Sequence, residues 1–171
     1  MPLIATWLRR LELLLLYGAV AASAVMMVLT TFDAASRYLF NSPLGGAYEI
    51  TEKYLMVAAI FLGLSYAYRG GAFIRVTFLV DRLPRRAKLI VDHVAYLVSL
   101  IYCVVIVAAT AQQSLRSLFD ATTLNTVPVP IGPAYCLVPI GFFAMTVLML
   151  ADLPRVRKGN ALLFAQQTPE A

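Results

Sequence analysis

Of the 171 residues, 61% are hydrophobic and 13% are charged, and the mean hydropathy is +0.79. Soluble domains carry about 45–50% apolar and about 25% charged residues, so composition excludes a soluble globular fold, which could not bury this much apolar surface. The net charge of +5 does not point to nucleic acid either, because the basic residues lie between apolar runs and no polar domain presents them to a duplex.

Four apolar runs are each long enough to cross a hydrocarbon core of about 30 Å as a helix of about 20 residues. The first is predicted over about Leu11–Phe32, behind Arg9 and Arg10. Ala22-Ser23-Ala24 mimics a signal-peptidase site, but the apolar run continues past it, so an uncleaved anchor is expected. Gly18 and Ala22 form a small-xxx-small pair suited to close helix approach. The second span is predicted over about Tyr48–Tyr68, the third over about Leu89–Ala111 and the fourth over about Ile131–Ala151. Pro128, Pro130 and Pro133 stiffen the turn into the fourth span, and Pro139 lies inside it, where a kink is expected. Residues 152–171 form a tail, and the whole is one four-helix membrane domain.

Positive charge sets the orientation. The two ends and the connection between spans two and three hold 11 Lys and Arg, against 3 in the other connections. The positive-inside rule therefore places both termini and the middle loop in the cytoplasm. That loop interleaves Ile74, Val76, Phe78 and Leu79 with Arg75, Arg82 and Arg85, a mixture suited to an amphipathic segment on the inner membrane surface. Trp7, Tyr38, Phe40, Tyr48, Tyr66, Tyr68 and Tyr135 fall near span ends, where aromatic rings favour the headgroup level.

Asp, Glu, Lys, Arg and His are absent over 13–32, 54–68, 94–111 and 121–151. A proton or substrate site at the midplane needs such groups or broken-helix backbone, so a chain that transports alone is disfavoured. Charges gather instead at span ends. Asp33 and Arg37 have the spacing of an ion pair across one turn if the helix continues that far, and Glu49 and Glu52, three apart, are expected to share a face beside Lys53. Cys103 and Cys136 lie within apolar runs and read as small hydrophobes. His93 is the single histidine, which excludes bis-histidine haem ligation by one chain and leaves a metal site without support. No nucleophile-base constellation or phosphate-binding glycine loop is present, so no enzymatic role is expected.

Several strings, in order, resemble the small Q-type (DctQ-like) permease subunit of tripartite ATP-independent periplasmic (TRAP) transporters. They are Asp33-x-x-x-Arg37-Tyr38-x-Phe40-Asn41-x-Pro43-Leu44, then Glu49 and Glu52, then Phe61-Leu62-Gly63. Arg69-x-Gly71, Ile74-Arg75-Val76, Leu83-Pro84, Leu124-x-x-Val127-Pro128 and Pro139-Ile140-Gly141 follow. The chain departs from the pattern twice: Gly46 and Ala47 stand where many members carry a Trp, and Phe73 where many carry a His.

The resemblance implies a bacterial or archaeal inner-membrane protein that scaffolds a large multi-helix permease subunit and works with a periplasmic solute-binding protein. It implies uptake of an organic acid driven by an ion gradient, with sodium bound in the large subunit and no cofactor in this chain. Within that reading, Asp33, Arg37, Glu49 and Glu52 are expected at the outer partner interface, and Arg69 and Arg75 at the inner one. The competing expectation is a small stand-alone proton-coupled exporter. Its only acidic candidate in the first helix, Glu12, sits at the inner boundary, two residues after Arg10.

Overall fold

The computed structural model describes residues 2–73, 84–120, 123–124 and 126–156. Helix α1 runs over Pro2–Phe40, α2 over Ala47–Arg69, α3 over Arg85–Phe119 and α4 over Gly132–Val156. All four are long and apolar enough to cross a membrane, and no strand forms among the described residues. Of the predicted amphipathic segment, residues 74–83 lie outside the described residues, and Arg85–Lys88 form the first turn of α3.

Two helices run well past their predicted ends. At about 1.5 Å per residue, the 39 residues of α1 span about 58 Å, roughly twice the hydrocarbon core. The apolar runs marked the membrane-crossing part. The helices continue beyond it because Arg, Glu, Gln and Ala residues at both margins are good helix formers.

Helix α1 packs along α2, α2 along α4, and α4 along α3. The result is a row in the order α1, α2, α4, α3, with α2 and α4 at its centre. The end at which α1 starts and α2 finishes is called basal here, and the other distal.

Small residues set the central spacings. A Cβ added to Gly141 of α4 would lie 2.1 Å from the carbonyl oxygen of Phe61 in α2, so these two backbones meet at a distance that only glycine permits. The Phe61 and Phe142 rings flank the contact with centroids 5.6 Å apart. Between α1 and α2, Gly18 faces Leu62 and Gly63 faces Ala19, while Ala19 and Ala22 are buried. The small-xxx-small pair thus serves packing within the chain.

The continuous core lies toward the basal end, where Tyr68, Tyr96, Cys103, Met145, Leu148 and Met149 pack together. Only 39% of the apolar window of α4 is buried, and 6–11% of the others. Most apolar surface on α1, α2 and α3 therefore faces outward, as expected for helices whose solvent is lipid or another membrane subunit.

Candidate functional site

Polar side chains gather at the two ends of the row. At the basal end α2 closes with the bonds of a Schellman motif: Gly71 N–H donates to the Tyr68 carbonyl at 3.2 Å and Ala72 N–H to that of Ala67 at 3.1 Å. Gly71 takes φ +65°, which the motif requires of its closing residue. The turn fixes the two residues before it, Tyr68 and Arg69, toward different neighbours.

Arg69 reaches α1. Its Nη2 lies 2.9 Å from Glu12 Oε1 and 2.8 Å from Oε2, and its Nε donates to Oε1 at 3.1 Å. Glu12 is only 3% exposed, whereas the guanidinium is partly open to the surface. A buried carboxylate is costly without a partner, so this pair fixes the register of α1 on α2.

Tyr68 turns into the row and is fully buried. Its hydroxyl donates to Asp152 Oδ2 of α4 at 3.3 Å and lies 3.4 Å from the Tyr96 hydroxyl of α3. Tyr96 in turn donates to the Met149 carbonyl. Tyr68 lies at the end of its span, as expected, but its ring is buried among the helices, where its neighbours offer the hydroxyl enough partners for burial. Adjacent residues of α2 thus bind α1 on one side and α3 and α4 on the other.

At the distal end, Asp33 pairs with Arg37 at 2.8 Å and accepts the Leu44 N–H at 3.0 Å. Ser36 donates to the Ser42 carbonyl at 2.8 Å, closing the turn after α1, in which Asn41 adopts φ +47°. Glu49 accepts the N–H of Thr126 at 3.0 Å, and Tyr54 donates to the Pro130 carbonyl. Val127 packs against Gly46, and Leu124 is buried. These contacts clamp the α1–α2 turn to the approach to α4.

Glu52 pairs with Lys53 at 2.9 Å. A shared face was expected of Glu49 and Glu52 from their spacing of three. Instead a π-helical turn occupies Thr51–Leu55, so their spacing of three no longer has α-helical geometry. Glu49 meets the distal loop, and Glu52 and Lys53 line a groove between α2 and α4. Nothing in the sequence marks the π-turn.

Of the six expected interface residues, the structure joins Asp33 to Arg37, commits Glu49 to the loop before α4 and commits Arg69 to Glu12. Glu52 is held by its neighbour Lys53, and Arg75 lies outside the described residues. Sequence reasoning missed Tyr68, Tyr96 and Asp152, whose only signal is three polar groups at matching depth. Among the described residues, His, Cys, Asp and Glu form no group of three able to hold a metal ion. Cys103 is buried with Sγ 3.9 Å from Met149 Sδ, and Cys136 is a half-buried free thiol.

A family profile described as the DctQ component of tripartite ATP-independent periplasmic transporters matches residues 26–159, well over half of the chain. The chain belongs to that family. A Haemophilus influenzae protein named as a TRAP transporter small permease protein is 29% identical to it over 105 residues. The aligned segment covers 61% of this chain and 65% of the length of that relative.

The ordered strings of this DctQ-family chain have physical roles. Asp33, Arg37 and Leu44 make one turn, and Phe61 meets Gly141. Gly71 ends α2 just after Arg69. Leu124 and Val127 seat the distal loop. Two strings far apart in sequence meet where Phe61 touches Gly141, and the others shape turns and helix ends.

Proposed function

We propose that this chain is the small membrane subunit of a TRAP transporter, bracing a large multi-helix permease subunit rather than moving solute itself. In this reading both termini face the cytoplasm, in line with the 11-to-3 distribution of Lys and Arg. The assembly takes up an organic acid delivered by a periplasmic solute-binding protein and driven by a sodium gradient, with sodium and solute bound by the large subunit. The chain is a transport component without catalysis of its own.

The observation that carries this reading is the division of surface and charge. The other described residues leave the apolar flanks of the row uncovered, while Asp, Glu, Lys, Arg and His are absent from the middle of every span. Such a body suits packing against another membrane protein and offers no ion relay. Near the span ends Asp33 and Glu49 hold turns, and Glu12 with Arg69 sets helix register. At the interface Arg37 and Arg69 offer exposed cations, Asp33 and Glu49 hold the turns that shape the distal surface, and Glu52 lies at one end of the groove. Arg75 completes the basal contact. Co-purification tests the reading. A tagged chain co-expressed with its large permease should retain it in near-equal amount through detergent extraction and size-exclusion chromatography. Elution of the tagged chain alone, with the large subunit intact in a separate peak, contradicts it.

A further inference from the structure

The central helices leave a groove of about 400 Å³ between α2 and α4 on the distal half of the row. This volume lies within the range of about 300–1,000 Å³ typical of small-ligand sites. Its polarity is graded along its length. Glu52 and Lys53 line one end with Tyr135, and Met56, Ile60 and Val138 line it further along α2 and α4. Glu52 and Ile60 are eight residues apart on α2, or about 12 Å along the helix axis.

We propose that this groove is a phospholipid site, holding one acyl chain against Met56, Ile60 and Val138 and a zwitterionic aminophospholipid headgroup against Glu52 and Lys53. The inference rests on the membrane-spanning reading of the four helices, and it places a lipid at the Glu52 edge of the interface proposed above. Charge complementarity selects the headgroup. Lys53 presents an ammonium to the lipid phosphate and Glu52, 2.9 Å from it, a carboxylate to the lipid amine. An anionic headgroup without an amine meets the same Lys53 but is repelled by Glu52, so the paired end discriminates where a lone lysine does not. The lining further along carries no ionisable side chain, as a hydrocarbon tail requires. The Tyr135 ring belongs to the class favoured at headgroup depth.

Native mass spectrometry of the detergent-purified full-length chain, titrated separately with dioleoyl phosphatidylethanolamine and dioleoyl phosphatidylglycerol, tests this site. The unmodified chain should retain one phosphatidylethanolamine in preference to phosphatidylglycerol. Glu52→Gln and Lys53→Gln should each weaken phosphatidylethanolamine retention about two- to fivefold, the range expected of exposed charge pairs, and Glu52→Gln should remove the preference. Ile60→Trp should reduce retention of both lipids while the melting temperature in detergent holds. If Ile60→Trp fails to fold, the two exposed charge variants still decide the matter. Equal retention of the two lipids by the unmodified chain, or unchanged retention in both charge variants, overturns the proposal. So does an Ile60→Cys probe in the assembled complex that cross-links to the large permease while no lipid is retained.

Discussion

The Arg69 guanidinium grips the Glu12 carboxylate by Nη2 at 2.8 Å and thereby ties the end of α2 to the start of α1. Removing one partner should be worse than removing both, because a lone buried charge is the costly state. We expect Arg69→Gln to destabilise the chain in detergent by about 1–3 kcal/mol, discounted for the partly exposed guanidinium. The Glu12→Gln/Arg69→Gln double variant should recover much of that loss. Thermal melts of the two single variants and the double variant supply the cycle, and strictly additive losses would show that the pair is not coupled.

Gly141 meets the carbonyl of Phe61 at a distance that leaves no space for a Cβ. Gly141→Ala should push α4 from α2 and cost about 1–3 kcal/mol, the usual range for overpacking. Gly45, around which nothing lies within 4 Å, serves as the control for alanine substitution. A melt for Gly141→Ala matching that of Gly45→Ala would mean that the helices do not approach this closely.

The Tyr68 hydroxyl joins α2 to Asp152 of α4 and lies beside Tyr96 of α3. Tyr68→Phe should cost about 1 kcal/mol or somewhat more, since it removes a buried donor from a carboxylate. Amide exchange should rise at the basal ends of α2 and α4 while the distal ends keep their protection. Uniform change along the helices would assign Tyr68 to packing alone.

Asp33 and Glu49 act on backbone N–H groups of two different turns. Asp33→Ala should therefore speed exchange at Leu44, and Glu49→Ala at Thr126, with total helicity by circular dichroism unchanged. Glu49→Gln should behave nearly as the unmodified chain, because its amide oxygen still accepts the bond. Protection that survives Glu49→Ala would place the carboxylate elsewhere.

The sequence located all four spans, since a run of about 20 apolar residues has few other uses. Helix ends were less legible: α1 and α3 carry on through charged residues that are compatible with helix, and hydropathy alone cannot separate a membrane boundary from a helix terminus. The Asp33–Arg37 pair followed from its spacing of four, a local rule. The Glu12–Arg69 pair did not, because its members lie 57 residues apart and meet only through the packing of α1 on α2. Tyr68 illustrates the reverse difficulty, as an aromatic at a span end fits the headgroup layer equally well until the neighbouring helices supply its partners. The separation of Glu49 from Glu52 depends on the π-turn, for which no residue pattern is diagnostic. Gly71 and Gly141 were visible as members of ordered strings, but their roles emerged only with the Schellman turn and the contact to Phe61.

The proposed division of labour is tested most directly by solute uptake into proteoliposomes under an imposed sodium gradient, using an organic acid bound by the cognate solute-binding protein. Liposomes with this chain alone should show no uptake, and those with the chain, the large permease and the loaded binding protein should accumulate the acid. Concentrative uptake by this chain alone would contradict the scaffold role.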